Sequence, residues 1–403
     1  MPRHLRLVVI LACMAAGLRL ANLRNVNSRT PDERVYTYQA KTVADQGPAA
    51  GMRSLIEEYK ADPEAKLYPP PTRAGMIRMM AALMRWTGRY GEGVGALISC
   101  AASVGSVVVL ALLALRFFPP WAAVPAMLLY AVLPADLAIA RRTWTDALVE
   151  LAGLLLVWFA CELTRRPERR IWLFLTALTG GLSLTVKESM PVAWGFCGIW
   201  MLWILARKRA WIDAAIFLAV NACALGISLW WLAAQVGSLH DYVSIVAGIP
   251  AANAANEYAL EYASGPPYLL LYAYWIIAPL TSLLAAAGVA AVFLRKREGP
   301  LVFITGFSIA WIVLATSLPH WINLRYLGNT FGPVCLLAGL GSWWLIEAGI
   351  EWMDSVDRRP FAAVAIAILI GGAAADYIRF RHYFVRDEVV DLSIKWLVDE
   401  RSQ

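Results

Sequence analysis

Charge is scarce in this chain: only 16% of its 403 residues are Asp, Glu, Lys or Arg, against about 25% in a soluble domain. With 60% apolar residues and a mean hydropathy of +0.57, a single-domain cytosolic enzyme is excluded. Cysteine is sparse too. Cys13, Cys100, Cys161, Cys197, Cys223 and Cys335 each fall inside an apolar block with no paired spacing, so neither a disulfide framework nor a thiolate metal site is indicated. The histidines His4, His240, His320 and His382 lie far apart and make no zinc motif. The net charge of +7 does not point to nucleic acid, because the basic residues sit in short clusters between apolar blocks, where loops of a membrane protein carry them.

What is abundant is apolar sequence in blocks of about 20 residues, the length that crosses ~30 Å of hydrocarbon as a helix. The chain reads as an all-α polytopic membrane protein. The first block, 5–23, follows Arg3 and Arg6 and reads as an uncleaved signal anchor with a cytoplasmic N-terminus. Further spans are expected at 94–115, 119–139, 146–163, 171–186, 190–206, 211–233, 268–294, 301–318, 326–346 and 361–378, making about 11 transmembrane helices. Loop charge agrees with this threading. The expected inner loops hold Arg116, Arg165, Arg166, Arg169, Arg170, Arg207, Lys208, Arg209, Arg295, Lys296, Arg297, Arg358 and Arg359, whereas the outer loop 234–267 has no Lys or Arg.

A domain of residues 1–378 is therefore expected, with a short extracytoplasmic tail at 379–403. The outer loop 24–93 reads as folded, with amphipathic juxtamembrane helices at 31–46, 49–60 and 73–87 broken by Gly47, Pro63 and Pro69–Pro71. The third helix, with Met76, Met79, Met80, Leu83 and Met84 flanked by Arg73, Arg78, Arg85 and Arg89, has the pattern of a helix lying among lipid headgroups. Val389–Val398 is expected to be another interfacial helix.

Ionisable groups near membrane helix ends mark candidate function. The outer side collects Asp32 and Glu33, Arg141, Arg142 and Asp146, Lys187 and Glu188, and His320 with Arg325. Such a mixture of carboxylates and cations suits holding a phosphate while activating a hydroxyl. Each group also has a plain structural reading. Thr30, Pro31, Asp32 and Glu33 form a capping-box helix start; Thr143 and Asp146 repeat the spacing; an Arg at a helix end snorkels to headgroups; and His320 beside Trp321 suits an interfacial belt.

Read in order, the motifs are PDERVY after the first span, YPPP in the first loop, ARRTWTDAL at the fourth span, GGLSLTVKESMP, and HWINLRYLGNTFGPV near the end. This set resembles the GT-C glycosyltransferases of the aminoarabinose-transferase and protein O-mannosyltransferase type, over the chain up to about residue 345. The resemblance implies a polyprenyl-phosphate sugar donor at the outer face, with Asp32 as the catalytic carboxylate, Glu33 beside it and Asp146 as the second acidic position. It implies Lys187, Arg325 and Tyr326 as contacts to the donor phosphate; Arg141, Arg142 and His320, collected on the same side, are expected in the same binding group. Tyr68, Pro69 and Pro70 match the loop motif that shapes the site. Two departures stand out: the sizeable C-terminal soluble domain of many relatives is missing, and Pro71 and Thr72 replace a large apolar residue.

The chemistry expected is transfer of the sugar to an acceptor hydroxyl of a lipid, glycan or protein, with inversion if Asp32 acts as base opposite the phosphate. Asp32, Glu33 and Asp146 are hard oxygen ligands able to hold a divalent cation, although the available cations suffice to neutralise a monophosphate. A transporter or flippase of lipid-linked glycans is the alternative, and a non-catalytic envelope scaffold a third reading. The first predicts midplane ionisable groups and repeated halves, neither of which the sequence offers. In the outer loop, Asp241, Glu257 and Glu261 with Tyr242, Tyr258 and Tyr262 are in a position to contact a sugar.

Overall fold

Each expected apolar block folds as helix. The computed structural model describes residues 2–23, 30–295, 299–318, 323–352 and 358–386. The chain enters through α1 (Arg3–Asn22) and then forms α2 (Pro31–Gln46), α3 (Pro48–Ala61) and α4 (Ala74–Thr87) in the first loop. It continues through α5 (Glu92–Phe117), α6 (Ala123–Ala131), α7 (Pro134–Ala140), α8 (Asp146–Arg165), α9 (Ile171–Leu184), α10 (Met190–Arg207) and α11 (Trp211–Val236). The loop after it holds α12 (Leu239–Ala255) and α13 (Glu257–Tyr262), followed by α14 (Tyr268–Ile277), α15 (Pro279–Leu294), α16 (Pro300–Ser317), α17 (Gly328–Trp352) and α18 (Arg358–Arg381).

Eight helices among the described residues are long and apolar enough to cross a membrane, and two bent pairs raise that to ten; the short apolar α9 covers the remaining expected segment. The protein is a multi-pass membrane protein. Two expected spans are broken rather than straight. α6 and α7 meet at 54° and α14 and α15 at 117°, each break falling at a proline, Pro134 or Pro279, that lacks an amide hydrogen and disfavours helix in the residue before it. The 27-residue span expected at 268–294 is thus two helices, and its length misled because proline stops a helix without changing hydropathy.

The first break serves a buried charge. Arg19 on α1 is paired with Asp136 on α7 and donates from Nε to Ser103 Oγ on α5 at 2.6 Å. Its remaining donors meet the carbonyls of Ala15 (3.0 Å) and Tyr130 (3.2 Å). An arginine at membrane depth is costly unless all its donors are used, and this cluster fastens an α1 that is otherwise largely exposed to its neighbours.

α15 and α17 are held backbone to backbone by small residues, as membrane helices without a hydrophobic drive between them require. A Cβ on Gly288 would lie 1.9 Å from the Leu337 carbonyl oxygen, and one on Gly341 would lie 2.0 Å from that of Leu284.

The first loop has its own core. Met76, Ile77, Met80 and Met84 of α4 are fully buried with Tyr36, Val43, Met52 and Ile56. The methionine stripe is therefore covered largely by protein rather than by headgroups, with Met79 39% exposed at its edge. Arg73 and Arg78 turn to Glu188 and Gln235 instead of lipid. At the opposite end of the bundle the basic loops meet acidic partners: Arg116 with Glu162 and Arg170 with Asp213 at 2.7 Å, and Arg295 with Glu347 at 2.6 Å. The tail continues α18 through His382–Arg386, while Val389–Val398 lies outside the described residues.

Gly288→Ala is expected to lower the unfolding midpoint in detergent, even though alanine is favoured in helices by ~1 kcal/mol. Gly195→Ala, whose Cβ meets nothing within 4 Å, should leave the midpoint unchanged or raise it; differential scanning fluorimetry distinguishes the two.

Candidate functional site

Thr30 caps α2 through its side chain, with Glu33 N–H donating to Thr30 Oγ1 at 3.3 Å and Thr30 N–H to Glu33 Oε2 at 2.8 Å. This capping box turns Glu33 inward and leaves the adjacent Asp32 facing the other way. Glu33, 2% exposed, also accepts from Thr143 N–H at 3.0 Å and Arg142 Nη1 at 3.2 Å. Trp144 Nε1 donates to Thr30 Oγ1 at 3.1 Å. The start of α2 is thereby tied to the turn that leads into Asp146.

Asp32 meets Arg325, at 2.6 Å from Oδ2 to Nη1, across 293 residues of sequence. Both side chains keep about a fifth of their surface open. The Arg325 guanidinium lies 5.5 Å from the ring centres of Trp144 and Tyr326, within cation–π range. Its backbone is set by Asn323, whose side chain accepts from Arg325 N–H at 3.0 Å, and Trp311 Nε1 holds the Tyr326 carbonyl at 2.8 Å. Behind this pair, Lys187 Nζ donates to Asp146 Oδ1 at 2.6 Å and lies 5.0 Å from the Tyr326 ring centre. α8 begins at Asp146 with Thr145, not Thr143, in the N-cap position, so Asp146 stands in the first turn as a helix-start charge without closing a Thr143 box.

Gly75 allows α4 to reach the turn that carries Lys187. Its N–H donates to Thr185 O at 2.8 Å, and a Cβ there would lie 2.5 Å from Thr185 Oγ1. Arg73, at the start of α4, forms a two-pronged ion pair with Glu188 and donates to Tyr36 Oη at 2.5 Å. Burial works to raise the Glu188 carboxyl, yet Arg73 holds it below the usual glutamate range. Burial pushes the Tyr36 hydroxyl up to about 12.

Asp32, Arg325, Tyr326, Trp144, Asp146, Lys187, Arg73 and Tyr36 line one cavity, open to solvent. Of the residues expected from sequence, it brings together Asp32, Asp146, Lys187, Arg325, Tyr326, Tyr68, Pro69 and Pro70. Lys66, Arg73, Lys187 and Arg325 supply four cations to the lining against the two carboxylates of Asp32 and Asp146. Three expected residues are not in the lining. Glu33 and Arg142 are consumed by the tie just described, and Arg141 is buried against the tail, donating to the Phe384 carbonyl at 3.1 Å. His320 lies outside the described residues. Of the outer-loop candidates, Asp241 pairs with Lys60 at 2.6 Å on the exterior, and neither it nor Glu257, Glu261, Tyr242 or Tyr258 lines the cavity.

Sequence reading missed Tyr36, Tyr59, Lys66, Arg73 and Trp144. Two carried a signal: Arg73 stands five residues after Tyr68 in YPPPTR, and Trp144 lies within ARRTWTDAL. The carboxylates do not assemble a metal centre. Asp32 faces Arg325, Asp146 faces Lys187, Glu33 points away, and no group of three or more His, Cys, Asp or Glu side chains able to hold a metal occurs among the described residues.

The fold is that of the GT-C glycosyltransferases. ArnT from Cupriavidus metallidurans, an aminoarabinose transferase solved with undecaprenyl phosphate, matches with a TM-score of 0.62 at 15% identity, over 95% of this chain and 77% of that one. AglB, the oligosaccharyltransferase of Archaeoglobus fulgidus, solved with an inhibitory peptide and a dolichol-phosphate, matches with a TM-score of 0.61 at 13% identity, over 94% of this chain and 55% of that one. The Archaeoglobus fulgidus oligosaccharyltransferase in complex with zinc and sulfate gives 0.59 at 14% identity, over 93% and 52%. The chain thus spans little more than half the length of the archaeal enzyme. No protein-family model and no curated protein matches the sequence.

Because the folded Glu188 is more acidic than the unfolded one, the Arg73 pair stabilises the protein above the ordinary glutamate value of 4.5, and this contribution is lost as pH falls through the lowered value. Glu188→Gln should accordingly flatten the acid limb of the unfolding midpoint, measured between about pH 3 and pH 6. It should also reduce stability at neutral pH, by up to ~3–5 kcal/mol, since Arg73 is left buried without its partner.

Proposed function

We propose that this chain is an integral-membrane glycosyltransferase that moves a sugar from a polyprenyl-phosphate donor to an acceptor hydroxyl at the outer face of the membrane. The observation that carries the reading is the meeting of Asp32 and Arg325 in a solvent-open cavity lined by an excess of cations. A phosphodiester donor enters that excess and takes the guanidinium of Arg325, which is suited to two-pronged phosphate contact, while Lys187 and Arg73 act at greater distance. Arg325 then leaves Asp32, whose carboxylate becomes a free base beside the anomeric carbon.

The acceptor oxygen bonds to that carbon as its bond to the phosphate oxygen breaks. Asp32 takes the hydroxyl proton, and the lipid phosphate departs with the bonding electron pair, its added negative charge met by cations already in place. Attack on the face opposite the phosphate inverts the anomeric centre. Asp146 acts through Lys187, holding the ammonium on the cavity wall, and Glu33 acts through the backbone that aims Asp32.

The basic loops at the far end of the bundle support an extracytoplasmic site and a cytoplasmic N-terminus, by the excess of Lys and Arg on the inner side. The fold shared with ArnT and AglB, solved with undecaprenyl phosphate and a dolichol-phosphate respectively, supports a lipid-phosphate donor. A transporter gains no support, because the ionisable groups of the cavity gather at one end of the bundle.

Asp32→Asn is expected to reduce transfer from a labelled polyprenyl-phosphate sugar in proteoliposomes by about 10²–10⁴-fold, with folding and undecaprenyl phosphate binding retained. Full activity of that variant would sink the assignment of the base. Arg325→Lys, which keeps the charge and loses the fork, should act mainly by raising the KM for the donor.

A further inference from the structure

The cationic cavity has a neighbour of opposite charge. Tyr59, Tyr68 and Pro69 line both it and a second cleft of ≈ 610 Å³ between α2, α3 and the turn at Glu64–Leu67. The charged residues of this second cleft are Glu58, Asp62 and Glu64, and no Lys or Arg lines it. Its wall carries a buried group that calls for a ligand. Gln39, 5% exposed, donates from Nε2 to the Pro69 carbonyl at 3.0 Å, which fixes the amide and leaves Oε1 buried without a hydrogen-bond partner. Buried carbonyl oxygens are nearly always paired, so a hydrogen-bond donor is wanted there.

The other polar groups ask for the same thing. Glu58 accepts from the Tyr38 hydroxyl at 2.8 Å and Asp62 Oδ1 from Glu64 N–H at 2.8 Å, and an ionised carboxylate accepts at several further positions. Tyr38 and Tyr68 are 51% and 42% exposed, offering flat rings to the C–H faces of a sugar. A lining of acceptors and tyrosines without cations suits a ligand rich in hydroxyl or amine donors and free of negative charge.

We infer that this cleft is the acceptor subsite and that it takes a neutral or amino-bearing carbohydrate, not an anionic one. The inference rests on the glycosyltransferase reading, which requires an acceptor next to the cavity that holds Asp32; the two cavities share Tyr59, Tyr68 and Pro69 in their linings. The two reactants are then sorted by charge, the lipid phosphate to the Lys/Arg cavity and the acceptor to the acidic cleft.

The test uses the full chain in nanodiscs, titrated with chitotriose, its triacetylated form and trigalacturonate, with binding read by saturation-transfer NMR. The first two should bind, and trigalacturonate should bind at least tenfold more weakly. Glu58→Gln combined with Asp62→Asn, both at exposed positions, should erase the preference for the free amine and leave the acetylated sugar bound. Equal binding of the anionic trisaccharide, no binding of any, or no effect of the double variant would overturn the inference. Undecaprenyl phosphate binding is measured on the same samples. Lipid binding without sugar binding removes the subsite alone, while sugar binding without lipid binding leaves a carbohydrate cleft and removes the transferase reading.

Discussion

Glu33 accepts hydrogen bonds from Thr30 N–H, Thr143 N–H and Arg142 while almost wholly buried, and the geometry of the cavity depends on it. The same carboxylate closes the N-terminus of α2 and clamps the turn that delivers Trp144 and Asp146. With Glu33 fixed inward, the residue before it at the helix start, Asp32, lines the cavity. A neutral residue in place of Glu33 would take from the buried Arg142 its Glu33 carboxylate, a loss that generally exceeds what the pair itself contributes. One acidic residue is thus held by backbone and guanidinium, while its neighbour Asp32 stays about a fifth open beside Arg325.

The cavity keeps its cations in a graded state of engagement. Lys187 is locked to Asp146 with both side chains about 5% exposed or less, and Arg73 to Glu188 at 13% and 10%, whereas Arg325 and Asp32 stay about a fifth open. The pair nearest solvent is the one most easily exchanged for a phosphate, because water screens its attraction and supports the separated charges. The deeper pairs, Lys187 with Asp146 and Arg73 with Glu188, keep their charges fixed in place. Beside the cavity lies the cleft of α2 and α3, whose charged lining is acidic, so the first loop places linings of opposite charge side by side.

Much of this was legible in the sequence because the signals are local. Thr30 with Pro31, Gly47 with Pro48, and the proline run at 69–71 set the ends of α2, α3 and α4 within a residue or two, each through a backbone preference that needs no distant partner. The apolar blocks gave the spans by length, but hydropathy was blind to Pro279, where the path turns by 117°. Asp32, Asp146, Lys187 and Arg325 came from short motifs read in order. Arg73 and its pairing with Glu188 escaped because each looks like an ordinary interfacial charge until the other is beside it. The α4 methionines escaped in the same way, since an apolar stripe is the same string of residues whether lipid or α2 covers it.

What the chain determined alone, then, is the set of helices, their membrane character and the residue types gathered near one end, because helix propensity, capping and hydropathy act over a few residues. Which carboxylate faces the cavity, which cation meets it, and how Arg19 finds Asp136 across 117 residues were decided only by packing. Those choices depend on the relative rotation and approach of helices distant in sequence, where close glycine contacts and buried donors without alternatives admit one arrangement.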